Sequence, residues 1–142
     1  MTDSTNNKLI IRQYTEQVLN TGNVENISDF ISPNYVEVFN NQKYELGIEG
    51  AKEHVLGVRK TYPDLTLNIE HQIAEGDWVA TSYTMRGTHR GEWMGIKATN
   101  KKIVVTGVNI DRVVNGKIVK HGGAANLFNS LLDIGAIKLL DE

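Results

Sequence analysis

The sequence predicts an α+β fold, in which N-terminal helices pack on one side of a curved, mostly antiparallel sheet. Two observations lead to this prediction. Helical spacing of apolar residues dominates before Pro63, and residues 65–125 consist of extended segments separated by turn signals. Helices followed by a run of strands are typical of an α+β domain. A twisted sheet wrapped over helices leaves a concave interior, which commonly holds a small ligand.

Length and composition exclude several classes of protein. With 142 residues, the chain is expected to form one domain over residues 1–142. The net charge of -2, without a long run of one sign, argues against nucleic acid or a membrane as partner. The lack of cysteine excludes disulfides and thiol nucleophiles. No apolar stretch approaches the roughly 20 residues of a membrane-spanning helix, and residues 1–7 are polar, so we expect a cytoplasmic protein.

Three helices are expected in the first half of the chain. Apolar residues at helical spacing predict a first helix that ends at residues 20–22. A second, short helix is expected over residues 24–31, with Pro33 ending it. A short strand over residues 35–39 then precedes a third helix over residues 47–62.

Four strands are expected in the second half, over residues 65–74, 78–89, 103–114 and 118–125. In the first of them, a period of two places His71 and Ile73 on the same inner face as Leu65. Asn115-Gly116 is the strongest short hairpin signal in the chain. A last, short helix is expected to end at Gly135.

Three polar residues on the inner face of the last two strands are candidates for chemistry. His121 could act as a base near neutral pH, because the unperturbed pKa of histidine is ~6.5. Asn109 could donate a hydrogen bond to an oxyanion through its amide. Asp111 could act as a base if it were desolvated, although its position beside Arg112 also allows a surface salt bridge. Alternatively, Asn109 and His121 are buried polar groups satisfied by the backbone, and Asp111 makes a contact in the turn.

The four histidines are far apart in sequence and none belongs to a metal-binding motif. There is also no glycine-rich phosphate loop. We therefore expect neither a metal nor an organic cofactor.

Short segments throughout the chain carry a resemblance to a known family. They are Ile10-Ile11-Arg12-Gln13-Tyr14, Gly47-Ile48-Glu49-Gly50, Tyr62-Pro63-Asp64-Leu65, Ile73-Ala74-Glu75-Gly76-Asp77, Arg86-Gly87-Thr88-His89-Arg90-Gly91-Glu92, Gly95-Ile96, Thr106-Gly107 and Asn115-Gly116-Lys117-Ile118-Val119-Lys120-His121. In this order and spacing, from about residue 8 to about residue 136, the chain resembles the SnoaL-like polyketide cyclases of the NTF2-like superfamily.

The resemblance implies a cone-shaped α+β barrel of the NTF2-like or cystatin-like kind, often a homodimer. Members that act on polyketides close a ring by an intramolecular aldol reaction without a metal or organic cofactor. In those members a carboxylate acts as acid and base beside a histidine or another polar partner. Their last strand tends to read His-Trp with a carboxylate soon after, whereas this chain has no Asp or Glu between His121 and Asp133.

A set of larger side chains is expected to line the pocket. The resemblance favours Tyr14, Tyr83 and Trp93, and Met85 and His54 are further candidates, although a histidine on a helix flank is commonly a boundary residue. Glu37 is a second possible acid, and an outward face is an equal alternative for it.

The sequence therefore predicts a cofactor-free aldol cyclase or isomerase that acts on a polyketide-like or apolar carbonyl compound. The alternative is a non-catalytic protein that binds a small apolar ligand and lacks the usual acid/base carboxylate. A third hypothesis is a dimeric scaffold that assembles through the outer sheet face, where Val104, Val108 and Ile110 are expected.

Overall fold

The computed structural model describes residues 3–141, and within them the chain forms three α-helices and one six-stranded sheet. The helices are α1 (Asp3–Tyr14), α2 (Gly47–Thr61) and α3 (Phe128–Asp133). The strands are β1 (Ile31–Phe39), β2 (Gln42–Glu45), β3 (Thr66–Glu75), β4 (Trp78–Thr88), β5 (Lys102–Val114) and β6 (Lys117–Asn126). The predicted α+β class is confirmed, with N-terminal helices packed on a curved sheet.

The sheet has the order β2-β1-β6-β5-β4-β3 and does not close into a barrel. Its pairings are antiparallel except between β1 and β6, which are parallel. The sheet is therefore mixed, because the early strand β1 joins the last strand β6 from the far end of the chain. Strand β2, which the sequence did not predict, pairs with β1 after a turn in which Asn40 and Asn41 adopt positive φ.

The predicted second helix over residues 24–31 is wrong. Only Ile27–Asp29 form a single 3-10 turn, and both Ile31 and Pro33 belong to β1. A short apolar run is ambiguous between helix and strand, and here the tertiary pairing decides: the amide of Ile118 donates to the carbonyl of Phe30 at 2.7 Å. The register shift between Ile31 and Val36 accommodates the proline, which has no N–H for the ladder.

The predicted inner face of β3 is correct only as far as Ile69. A bulge between Ile69 and His71 reverses the alternation, so that His71 is exposed and Ile73 is 73% exposed. The bulge turns Gln72 toward α1, where its amide donates to the carbonyl of Lys8 at 3.0 Å. The packing of Gln72 against α1 therefore goes with a break in the alternation of inward and outward side chains along β3.

The core consists of two clusters of buried side chains. The larger joins the helical layer to the sheet through residues such as Ile11, Val55 and Val79. The smaller surrounds Leu65 and Ile103 at the other end of the sheet. Side chains from both clusters line the cavity described next.

Candidate active site

A cavity of about 190 Å³, which we call the chamber, lies between α1, α2 and the inner face of the sheet. Its apolar lining comes from both core clusters and their neighbours: Leu19, Ala51, Val55, Val58, Leu65, Leu67, Met85 and Ile118. A wider groove of about 650 Å³, the mouth, lies next to it. The chamber and the mouth share five polar or aromatic residues: Glu37, His54, Tyr83, Asn109 and His121. Ionisable groups therefore stand where the chamber meets the mouth.

The most enclosed ionisable pair is Asp111 with His121. The two residues face each other across β5 and β6, and His121 Nδ1 lies 2.6 Å from Asp111 Oδ1. The side chain of Asp111 is 5% exposed and that of His121 is 32% exposed. An ionised carboxylate can only accept a hydrogen bond, so Nδ1 carries the proton and Nε2 is the nitrogen available to a ligand. This pair resolves the sequence alternatives for Asp111, which makes no surface salt bridge to Arg112.

A bulge in β6 brings His121 into the cavity. The pairing shifts between Arg112 and Val113, so that Val119 has no direct partner and both Ile118 and His121 line the chamber. Without this shift, a period of two would place these two residues on opposite faces.

The charges around His121 set its protonation. Burial by itself lowers the pKa of His121, but the negative charge of Asp111, its hydrogen bond and the charge of Glu37 together raise the pKa above the ordinary value. The raised pKa makes the imidazole a stronger base, which is the property that removal of a proton from carbon requires.

A second carboxylate and histidine form a similar pair on the adjoining wall. Glu37 Oε2 lies 2.8 Å from His54 Nδ1, and the hydroxyl of Tyr35 donates to Glu37 Oε1 at 2.9 Å. Glu37 is also the β1 residue that lies beside His121 in the parallel pairing. The carboxylate of Glu37 therefore faces the cavity, which decides between the two orientations that the sequence allowed.

The pKa of Glu37 reflects these partners. Burial raises it, but the hydrogen bond and charge of His54, the hydroxyl of Tyr35 and the charge of His121 outweigh burial and bring the pKa below its usual value. Glu37 consequently stays ionised at neutral pH beside His54, whose side chain is 47% exposed.

Phenol groups complete the polar lining. Burial, with smaller contributions from Glu37 and Asp111, raises the pKa of Tyr14. Burial also raises the pKa of Tyr83. Both phenols thus keep their protons at neutral pH and act as hydrogen-bond donors rather than acids. The hydroxyl of Tyr83 lies over Gly107, where a Cβ would come within 2.5 Å of its oxygen.

Most of the residues singled out in the sequence meet at the cavity. Those that line the chamber are Tyr14, His54, Tyr83, Met85, Asn109, Asp111 and His121. Trp93 does not, because its ring packs edge-on against Tyr62 at a centroid distance of 6.2 Å. His89 lies in the core, with Nδ1 3.0 Å from the hydroxyl of Thr99.

The sequence places Tyr35 among the aromatic core or lining residues but leaves the orientation of Glu37 open. Because a period of two puts both residues on one face of β1, the inward position of Tyr35 indicates an inward Glu37 as well. The contact of Glu37 with His54 could not be found this way, because it depends on how α2 packs on β1.

Two further findings concern the described residues 3–141. No group of three or more His, Asp or Glu side chains in this part of the chain is arranged to hold a metal ion. None of its helices is both long and apolar enough to cross a membrane.

Comparison with known proteins supports the same class of fold. AclR from Streptomyces galilaeus, described as a candidate hydroxylase, superposes with a TM-score of 0.84 at 25% identity, over 99% of this chain and 87% of AclR. A SnoaL-like protein from Jannaschia sp. CCS1 superposes with a TM-score of 0.85 at 20% identity, over 97% of this chain and 98% of that one. The fold is thus that of the NTF2-like α+β proteins.

Sequence comparison identifies the family. Residues 9–134 match the family model of the SnoaL-like polyketide cyclases. The nogalonic acid methyl ester cyclase of Streptomyces nogalater is 30% identical over 121 residues, which are 82% of this chain and 88% of that enzyme. The aklanonic acid methyl ester cyclase of Streptomyces galilaeus is 29% identical over 107 residues, 74% of each chain. The chain belongs to the SnoaL-like polyketide cyclase family.

Proposed function

We propose that this protein is a cofactor-free aldol cyclase whose substrate is a polyketide-derived carbonyl compound. The observation that carries the proposal is the 2.6 Å contact between His121 and Asp111 at the wall of an otherwise largely apolar chamber. It supplies the carboxylate and histidine that this chemistry needs, with the carboxylate on β5 rather than after the histidine on β6. By name, the two cyclase relatives act on nogalonic acid methyl ester and aklanonic acid methyl ester, and we propose a substrate of that class.

The reaction begins with removal of a proton from carbon. His121 Nε2 takes a proton from the carbon next to a carbonyl, while Asp111 stabilises the imidazolium that forms. The amide of Asn109, also on the inner face of β5, donates to the enolate oxygen as negative charge develops there. The enolate carbon then attacks a second carbonyl of the same molecule, the ring closes, and the resulting alkoxide takes up a proton.

The sizes of the chamber and the mouth suit such a substrate. Ligand pockets for compounds of this size hold about 300–1,000 Å³. The chamber of about 190 Å³ admits only the reacting end, and the mouth of about 650 Å³ is large enough for the remaining rings. The reacting end would then lie against His121, where the chamber and the mouth meet.

Ring closure of nogalonic and aklanonic acid methyl esters tests the proposal. The purified protein is incubated with each ester, and the closed product is followed by chromatography and mass spectrometry. His121→Ala should lower the rate by about 100-fold or more, the usual contribution of a general base. The same substitution at the exposed His71 is the matched control and should leave the rate unchanged. Equal turnover by wild type and His121→Ala would remove His121 from the mechanism.

The alternative, a binding protein without catalysis, predicts a different result. Such a protein would retain a ligand through purification, which native mass spectrometry detects, and it would not accelerate proton exchange next to the carbonyl in D2O. Tight retention of either ester with exchange at the rate of buffer alone would favour the binding protein over the cyclase.

We also propose that the protein forms a homodimer through the outer face of the sheet. Val104, Val108 and Ile110 are 49%, 44% and 46% exposed on β5, and an apolar strip of this kind favours a protein partner. Sedimentation velocity should show a dimer for the wild type and a monomer for Val108→Lys. Leu56→Lys, on the exposed side of α2, is the control and should leave the dimer intact. A monomeric wild type at high concentration would refute the dimer.

A further inference from the structure

The cavity contains a second histidine–carboxylate pair that the proposed proton abstraction does not use. His54 Nδ1 is hydrogen-bonded to the carboxylate of Glu37 at 2.8 Å, as His121 Nδ1 is hydrogen-bonded to that of Asp111 at 2.6 Å. In both pairs the carboxylate fixes Nδ1 as the protonated nitrogen and leaves Nε2 for a ligand. Two imidazoles held in the same way on neighbouring walls suggest two proton transfers rather than one.

The two pairs differ in their access to water. The side chain of Asp111 is 5% exposed and that of His121 is 32% exposed, whereas His54 is 47% exposed at the mouth. A group that must begin each turnover with a proton benefits from contact with bulk water. A group that must take a proton from carbon benefits from an enclosed, apolar site.

We infer that His54 is the general acid that protonates the oxygen of the attacked carbonyl, and that Glu37 positions it. This assignment rests on the proposed aldol function and adds the donor for its last step. As the new carbon–carbon bond forms, the C=O π bond breaks and its electron pair moves to oxygen, which takes the proton from His54 Nε2. His121 then holds one proton more and His54 one fewer, and exchange with water at the mouth restores both.

The other hydroxyl donors of the chamber are less suited to this step. Burial raises the pKa of Tyr14 and of Tyr83, and the raised pKa makes each phenol a weaker acid and a poorer proton donor in this step. The hydroxyl of Tyr35 is already donated to Glu37 at 2.9 Å. An imidazolium whose Nδ1 is hydrogen-bonded to a carboxylate can donate its other proton from Nε2, and imidazole is the side chain most often used for general acid–base catalysis.

Charged or ionisable side chains on α2, β1 and β6 surround His54. Glu37 lies on β1, and Glu53 from α2 lines the mouth close by. His121 on β6 lies beside Glu37, so the proton that His121 takes up places a positive charge next to the same carboxylate that His54 contacts. The negative charge of Glu37 also contributes to the raised pKa of His121.

A partition experiment in D2O separates proton abstraction from ring closure. Nogalonic acid methyl ester is incubated with the enzyme, and mass spectrometry measures two rates in one sample: deuterium entering recovered substrate and formation of closed product. In His54→Gln the enolate still forms but returns to substrate, so closure should fall about 100-fold while exchange stays within about 3-fold. The ratio of the two rates is independent of the fraction of active protein, so partial misfolding does not imitate this result.

The variant Glu37→Gln tests the positioning role. It should shift the same ratio toward exchange by about 10-fold and should act mainly on kcat rather than KM. Glu49→Gln on the exposed side of α2, together with His71→Gln, provides the matched controls and should leave the ratio at the wild-type value.

The two rates distinguish failure of the His54 assignment from failure of the proposed aldol function. Equal losses of exchange and closure in His54→Gln, or no change in either, would overturn the role of His54 while leaving the aldol function in place. Loss of both rates in His121→Ala with wild-type exchange above the buffer blank supports the proposed function. A wild type that neither exchanges nor closes the ester would refute the proposed function and this inference with it.

Discussion

His121 and Asp111 lie opposite each other on the two strands of the final hairpin, and their side chains meet at 2.6 Å on its inner face. The pairing orients the imidazole and keeps the carboxylate buried. It also couples the two groups electrostatically, so a change at one position should be measurable at the other.

The first prediction concerns that coupling. In Asp111→Asn the pKa of His121 should fall, because the largest attraction that opposes burial is removed. NMR titration of the imidazole C–H signals measures the midpoint directly. Glu37→Gln should lower the same midpoint by less, since its charge contributes less to the pKa of His121 than Asp111 does. A midpoint that is unchanged in Asp111→Asn would show that the two side chains do not interact in solution.

The second prediction links the same pair to stability. The folded-state pKa of His121 is raised, so its contribution to stability is fully present below the unfolded value of ~6.5 and is lost as pH rises through the folded value. The loss of stability caused by His121→Gln should therefore be larger at about pH 6 than at about pH 9. Urea denaturation of wild type and variant at both pH values provides the measurement, and His71→Gln corrects for the general effect of the substitution. A difference that grows with pH would contradict the sign of the shift.

The third prediction compares two isoleucines, both of which the sequence pattern places on an apolar face. Ile31 on β1 is fully buried, whereas Ile73 on β3 is 73% exposed because of the bulge before it. Ile31→Ala should lower the free energy of unfolding by about 2–5 kcal/mol, and Ile73→Ala should change it by less than about 0.5 kcal/mol. Chemical denaturation of both variants measures the difference. A large cost at Ile73 would mean that β3 continues without a bulge and that its second half faces the core.

The comparison of these residues shows what the sequence could predict. The inner face of β5 follows from period two in a strand with one buried face, next to a tight Asn-Gly turn, and so Asn109 and Asp111 were assigned correctly to it. Ile73 and the helix expected over residues 24–31 failed because a bulge and a long-range strand pairing override local spacing.

The candidate site also depends on a bulge and on long-range pairing, which local spacing does not reveal. His121 was placed inward from alternation alone, although the strand reaches that orientation through a bulge at Val119. The histidine–carboxylate contacts of the site join β5 to β6 and β1 to α2, and each depends on how distant segments of the chain pack together. Glu37 could therefore be recognised as a candidate from the sequence but could not be paired with His54.

The last prediction concerns two adjacent glycines that follow His121. Gly123 has φ +149, and a Cβ there would lie 2.2 Å from the carbonyl oxygen of Val108 and 2.9 Å from the Cα of Asn109. Neither backbone atom can move without disturbing the strand that carries Asn109 and Asp111. Gly123→Ala should therefore destabilise the protein by about 1–3 kcal/mol and displace Asn109 from the cavity.

Gly122 provides the matched control one residue earlier. A Cβ there would meet Val38 at 3.5 Å or more, which is ordinary contact, and the backbone does not require positive φ. Gly122→Ala should consequently leave the free energy of unfolding within about 0.5 kcal/mol of wild type. Denaturation of the two variants side by side separates backbone crowding from a general preference for small residues in this strand. Equal effects at both positions would mean that β6 does not approach β5 closely at Gly123, and that the hairpin holding His121 against Asp111 is looser than its register indicates.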